Sequence, residues 1–317
     1  MPDVQQPAAL AKEQWSTLLS RISKQKCTPF LGAEAIGGLM PPRSEIAKRW
    51  AEEYNFPLED TRDLAQVAQF VATTVRDATV PREKILDEFK KASPPNFKAL
   101  DEPHRILAEL PLPVYVTTDY HDLMVQALKS RGDRDPHQEL CRWSDDLRKE
   151  KSAFDGTFEP SVANPVVFHL YGHTGVPDSL VLTEDDYLDF LVEISTPPGP
   201  NQPSPIPPRI QTAFSRASLL FLGYRLTDLE FRVLLRTLAT VKREEKYRHV
   251  AVQLVHVGDQ AEAEEQLARL ARAQEYLSIY CDRASITTYW GTTHDFLVEL
   301  KQRWDQLPDE VKRPQNK

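Results

Sequence analysis

Val114-Tyr-Val-Thr-Thr-Asp-Tyr-His-Asp-Leu-Met124 is an apolar run that ends in hydroxyl, carboxylate and imidazole groups where a helical pattern begins. Such a junction is the end of a buried strand meeting the first turn of a helix, and in an open α/β sheet that edge faces the ligand. Two further runs have the same design. Pro165-Val-Val-Phe-His-Leu-Tyr-Gly-His173 and Ser218-Leu-Leu-Phe-Leu-Gly-Tyr-Arg-Leu-Thr-Asp228 also leave a buried strand through polar or glycine residues. Strand ends of one kind predict one shared crevice.

Upstream of the first run, Ala11 to Lys24 reads as an amphipathic helix, and Cys27 to Gly32 as a short strand that stops on glycine. Between Gly32 and Pro111 the apolar residues recur at helical spacing: Ile46, Trp50 and Tyr54, then Leu64, Val67, Ala68 and Val71, then Ile85 and Phe89, then Ile106, Leu107 and Leu110. Residues 33–111 are therefore expected as a helical insertion. Downstream, strands expected at 114–117, 166–171, 179–182, 218–223, 249–256 and 285–289 alternate with helices expected at 120–128, 229–238, 260–277 and 294–303. A further helix opens on Thr183-Glu-Asp-Asp186, a capping pattern. Strands separated by helices predict a Rossmann-like, doubly wound, mainly parallel sheet in a single domain spanning residues 1–317. Residues 196–209 hold seven prolines, which remove amide donors and favour extended turns, so an exposed surface loop is expected there.

With 317 residues and 41% hydrophobic content, the chain can bury a large core without disulfides or metal. Its net charge is -8, and Lys and Arg are scattered among Asp and Glu, which argues against direct binding of nucleic acid. Cys27, Cys141 and Cys281 are odd in number and far apart, and encode neither a paired framework nor a four-thiolate zinc site. They point to a reducing cytoplasm. The first residues lack a basic region followed by an apolar stretch, and no hydrophobic run has membrane length, so a cytoplasmic chain without membrane contact is expected.

Gly32-Ala-Glu-Ala-Ile-Gly-Gly38 follows the first strand, where glycines let the backbone approach a pyrophosphate; its spacing differs from the dinucleotide fingerprint, so a plain glycine-rich turn is the competing reading. Asp119 and Asp122 have a helix-capping role open to them as well as a chemical one. Strand alternation puts His169 and Tyr171 on one face, with Phe168 and Leu170 on the other. His169, alone on a strand, reads as structural, whereas His173, past Gly172 in a loop, reads as a functional candidate. Gly223 permits close approach of a ribose or adenine, and Thr227 or Asp228 can cap the helix that follows.

Taken in order, five segments resemble the sirtuin-like NAD-hydrolysing proteins of bacterial antiphage defence, a branch of the silent-information-regulator-two superfamily. They are Phe30-Leu-Gly-Ala33, Thr117-Thr-Asp-Tyr120, Leu170-Tyr-Gly172 with Ser179-Leu-Val-Leu-Thr-Glu-Asp-Asp-Tyr187, Leu220-Phe-Leu-Gly-Tyr-Arg-Leu-Thr-Asp228, and Tyr289-Trp-Gly-Thr292. The likeness covers residues 25–300. It implies NAD as substrate, cleavage of the nicotinamide–ribose bond with water as acceptor, and no metal. It further implies that Gly32, Ala33, Glu34, Thr117, Thr118, Gly172, Gly223, Tyr224, Asp228 and Trp290 contact the dinucleotide, and that Asp119, Tyr171, His173 and His121 form the catalytic group. Deacetylase members usually carry a four-cysteine zinc module that this sequence does not encode, so lysine deacetylation is disfavoured. NAD or ADP-ribose, further copies of the chain, and a partner such as a ring ATPase or a nucleic-acid-guided sensor are the implied partners.

The sequence departs from the family pattern at the chemistry. Asp119 and His121 stand where Asn and Asp are usual, Tyr171 replaces the histidine that normally precedes the glycine here numbered Gly172, and Glu34 replaces a glycine. A carboxylate at Asp119 can stabilise positive charge developing on the ribose and polarise water. Tyr171 can orient a hydroxyl but is a poor base, since a phenol ordinarily titrates near ~10. His173 or His121 can supply an imidazole in its place. Glu34 repels a pyrophosphate unless it points away or pairs with Arg43 or Arg225. Two readings follow: an NAD glycohydrolase with a rewired site, held silent until assembly or a partner activates it, or a non-enzymatic nucleotide-binding or scaffolding subunit that keeps the fold. Nucleic-acid cleavage lacks acids at metal-binding spacing.

Overall fold

The computed structural model describes residues 10–32, 41–199, 202–224, 231–233, 236, 248–253 and 263–312. Its centre is a parallel seven-stranded sheet of β1 (Cys27–Leu31), β2 (Val114–Thr117), β3 (His137–Leu140), β4 (Val166–His169), β5 (Ser218–Leu222), β6 (His249–Gln253) and β7 (Ile286–Trp290), in the order β3-β4-β2-β1-β5-β6-β7. The chain leaves β1 to build one half of the sheet through β2 and returns to build the other through β5. The order therefore reverses at β1, and a doubly wound sheet opens its crevice at the carboxyl ends of the strands beside such a point.

Continuous apolar strands are explained by burial on both faces. Phe30, Val116, Phe168 and Phe221 enter one core. It is closed by α2 (Arg43–Tyr54), α3 (Leu64–Val75), α4 (Thr79–Lys91), α7 (Glu184–Ser195), α8 (Pro208–Arg216) and α9 (Ala263–Arg283). Their neighbours Leu31, Tyr115, Val167, Leu220 and Leu222 enter the other, closed by α1 (Lys12–Ser23), α5 (Pro103–Glu109), α6 (Leu123–Ser130) and α10 (Thr293–Asp305). Helices α2 to α5 thus occupy the described part of the segment between β1 and β2. No helix among the described residues is long and apolar enough to cross a membrane.

Several expectations are corrected. Residues 179–182 form no strand: Ser179 ends a 3-10 turn, and the N–H groups of Leu182 and Thr183 bond the Asp186 carboxylate at 3.1 and 2.9 Å. The capping box of α7 therefore takes donors a ladder would need, while Thr183 Oγ1 accepts from the Asp186 N–H. Strand β3, His-Gln-Glu-Leu, has no apolar run because it lies at the sheet edge. Helix α6 starts at Leu123, three residues later than expected, with Asp122 as N-cap but without a side-chain cap bond. The proline-rich segment is exposed only in part. Pro205, Ile206 and Pro207 are buried, the Pro205 carbonyl accepts from the Arg142 N–H at 3.3 Å, and Pro208 already belongs to α8. Strand β4 ends at His169, and Tyr171 turns into the same core as Phe168 and Leu170 instead of sharing a face with His169. The last residues expected in the sixth strand, and most of the helix expected over 229–238, lie outside the described residues.

Phe30 is fully buried at the centre of β1, against Phe214, Phe221 and Tyr224. Phe30→Ala is expected to cost about 3–5 kcal/mol, read as a lowered midpoint of denaturant unfolding.

Candidate functional site

Where β1, β2 and β5 end, three backbones meet. The Gly32 N–H donates to the Leu222 carbonyl at 2.8 Å and the Thr118 N–H to the Leu31 carbonyl at 2.9 Å, continuing the ladder past the strands. A Cβ on Gly32 would stand 2.6 Å from the Gly223 carbonyl oxygen and 3.0 Å from the Tyr224 ring. Gly32 is bare so that protein can pack on it. Gly223 itself has φ +74°, in the left-handed region, and this turns Tyr224 back over the strand ends. The Tyr224 hydroxyl donates to the Leu31 carbonyl at 3.0 Å and lies 2.9 Å from Thr118 Oγ1, while the Tyr224 carbonyl accepts from Gln253 Nε2 at 2.6 Å. Burial pushes this phenol well above its ordinary range, so it is protonated.

Asp119 follows on β2. It is 7% exposed, and its N–H donates to Thr117 Oγ1 at 2.9 Å. Its Oδ2 lies 3.5 Å from His121 Nε2, a long contact. The His121 Nδ1 accepts from the Leu123 N–H at 3.4 Å, so in the neutral ring the proton sits on Nε2 and faces Asp119. Burial holds His121 below its usual pKa against the opposing pull of Asp119.

The end of β4 brings two more imidazoles. His169 is fully buried, with Nδ1 3.3 Å from the Asp119 carbonyl oxygen and Nε2 3.1 Å from the Gln138 amide nitrogen. An amide donating to Nε2 leaves the proton on Nδ1, directed at Asp119 O. Burial, then the neighbouring His173, lowers the His169 pKa to about 3. The ring centroids of His169 and His173 are 5.1 Å apart, and His173 Nδ1 accepts from the Gly175 N–H at 2.9 Å. Burial also lowers His173. Both His121 and His173 therefore present an N–H, their other nitrogen being engaged by backbone. Gly172 permits this turn, since φ is +82° and a Cβ would lie 2.1 Å from the Ser179 carbonyl oxygen.

Tyr171 packs edge-on against Tyr187 and Phe190, at 5.3 and 5.1 Å. Tyr187 connects it to Arg43, whose guanidinium donates to the Tyr187 hydroxyl at 3.0 Å and the Thr118 carbonyl at 3.2 Å and lies 4.8 Å from the Tyr120 ring centroid. Gly32, Thr117, Thr118, Asp119, His121, Tyr171, Gly172, His173, Gly223 and Tyr224 all stand on this edge of the sheet. Trp290 ends β7 on the same edge, three strands from β1, and is buried in the core. Ala33, Glu34 and Asp228 lie outside the described residues. Sequence reasoning missed Tyr187 as a partner of the site, and gave Arg43 a role only beside Glu34. The capping pattern Thr183-Glu-Asp-Asp186, which sets Tyr187 in the first turn of α7, is the signal that points to Tyr187.

The three cysteines are free and buried, and among the described residues no group of His, Cys, Asp and Glu is placed to hold a metal ion.

Residues 113–276 match the family model of the SIR2-like domain. The chain is 22% identical over 296 residues to the NAD(+) hydrolase ThsA of Acinetobacter baumannii (strain 532279), covering 90% of this chain and 56% of the relative. It is also 22% identical over 254 residues to the NAD(+) hydrolase ThsA of Bacillus cereus (strain MSX-D12), covering 80% of this chain and 48% of the relative. The chain spans about half the length of the curated relatives it matches.

The depressed His169 sets a pH dependence. Unfolded, this imidazole titrates near 6.5; folded, near 3, so between these values the unfolded chain binds a proton that the folded one refuses. Stability falls as pH drops through this window, by up to ~1.4 kcal/mol per pH unit from this group. His169→Gln is expected to flatten the slope of unfolding free energy against pH between 4 and 6 by that amount.

Proposed function

The chain belongs to the SIR2-like domain family, and from that premise we propose that it hydrolyses the nicotinamide–ribose bond of NAD as an effector of bacterial antiphage defence. The observation that carries the reading is Asp119, a buried carboxylate at the end of β2 beside the point where the sheet reverses its order. When the bond from C1′ to the nicotinamide nitrogen breaks, its electron pair leaves with nicotinamide and positive charge develops on the ribose. Asp119 stabilises that charge in a site screened from water, where electrostatic effects are strong. Water then bonds to C1′ and gives up a proton, which Asp119 accepts. The neutral His121 supports this role by directing Nε2–H at the same carboxylate. For His121 or His173 to act as the base instead, it must first release the backbone N–H that its Nδ1 accepts.

Two relatives that bear the name NAD(+) hydrolase support NAD as the substrate. The dinucleotide is proposed to lie along Gly32, Ala33, Glu34, Thr117, Thr118, Gly172, Gly223, Tyr224, Asp228 and Trp290, with Tyr171 orienting a ribose hydroxyl. The activity is held silent until assembly of several copies, or a partner protein, switches it on. One observation favours the second reading, a nucleotide-binding or scaffolding subunit without turnover: the Tyr224 ring covers Gly32, so a ligand reaching that backbone must displace it.

Incubation of the assembled, activated protein with NAD, followed by chromatography, is expected to release nicotinamide and ADP-ribose. Asp119→Ala is expected to reduce that release about 10²–10³-fold. Calorimetric binding of NAD with no product from the native protein decides for the scaffolding subunit.

A further inference from the structure

The segment leading into β2 carries a buried carboxylate–imidazole pair that the reaction above does not employ. Glu102 caps α5, with one oxygen accepting the Arg105 N–H at 2.6 Å and the other 2.8 Å from His104 Nδ1. The two residues are 7% and 1% exposed. Capping a helix needs one acceptor oxygen and does not require an imidazole buried beside it. The carboxylate fixes the His104 proton on Nδ1, and among the described residues the Nε2 of this ring has no hydrogen-bond partner.

The neighbours of His104 give the pair a direction. Its ring stands nearly perpendicular to that of His121, with centroids 6.0 Å apart and planes at 78°. The Phe89 ring also contacts His121, with centroids 6.2 Å apart. His121 then faces Asp119. The groups acting on His121 are Asp119 and Asp122, which favour its protonated form, and His104 with burial, which disfavour it. Glu102, His104, His121 and Asp119 form a row from the start of α5 to the end of β2.

We propose that Glu102 and His104 position Asp119 for bond cleavage by clamping the His121 ring so that its Nε2–H addresses the carboxylate. The role in cleavage rests on the hydrolase reading. The logic is that of a base or carboxylate oriented by a chain of hydrogen-bonded and packed groups, none of which touches substrate except the last. Side-chain packing alone would be satisfied by a phenyl ring at position 104, whereas the clamp requires the bond from His104 Nδ1 to Glu102.

Glu102→Gln retains an oxygen to cap α5 and removes the charge; His104→Phe retains the ring and removes the bond. The full chain, labelled with 15N-histidine, is compared with both variants by imidazole NMR and by steady-state NAD hydrolysis. Both variants are expected to shift the His121 ring nitrogens and to lower kcat about tenfold or more, with KM changed less than about twofold. Unmoved His121 signals in both variants overturn the proposal, whatever the activity does. Moved signals with unchanged kcat in a hydrolysing protein overturn it as well. If the native protein releases no nicotinamide in any assembly, the hydrolase reading fails, and the His121 signals alone decide the clamp.

Discussion

Both faces of the parallel sheet are sealed by apolar side chains, and this constraint determines where polar chemistry can stand. Phe30 enters one core and Leu31 the other, so no side chain of central β1 is left for a ligand. Only the strand ends remain, and at β1 that end is a glycine on which Gly223 and Tyr224 pack. The ladder hydrogen bonds of Gly32 and Thr118 carry the sheet one step beyond its apolar core. They fix the position of Asp119, which follows Thr118 just past the end of β2. Arg43 then binds the Thr118 carbonyl from α2 and the Tyr187 hydroxyl of α7, which fastens the helices of one layer to the site.

The same burial governs protonation. His169, His121 and His173 are all held below the ordinary imidazole range, first by desolvation, so the strand ends carry neutral rings, of which His121 faces the Asp119 carboxylate. Neutral donors orient an acid without cancelling its charge. Tyr171 is packed among Tyr187 and Phe190 and adds shape to this edge. The described edge thus combines a buried carboxylate at Asp119, a neutral imidazole facing it, and packed phenols nearby.

The strands of the central sheet were readable because a run such as Ser218 to Leu222 is apolar at every position but one, as a strand buried on both faces requires. Edge strand β3 escaped notice because it buries little and so needs no such run. Residues 179–182 looked like a strand for the opposite reason. They are buried and mostly apolar, but the N–H groups of Ser179 and Leu180 close a 3-10 turn on Val176 and Pro177, and that of Leu182 goes to the Asp186 cap, which periodicity does not register. In the site, Thr117 to His121 stood out as polar groups at a strand end. The Glu102 and His104 pair did not, since its partner His121 comes from beyond the next strand.

What the sequence determined by itself is therefore local: which segments must be strands, where each stops, and which polar residues wait at those stops. Strand order, the covering of Gly32 by Tyr224, the docking of Pro205 to Pro207, and the neutral state of the histidines were decided by tertiary structure alone. Each depends on desolvation and contact between segments far apart in the chain, quantities that exist only once the layers have closed over the sheet.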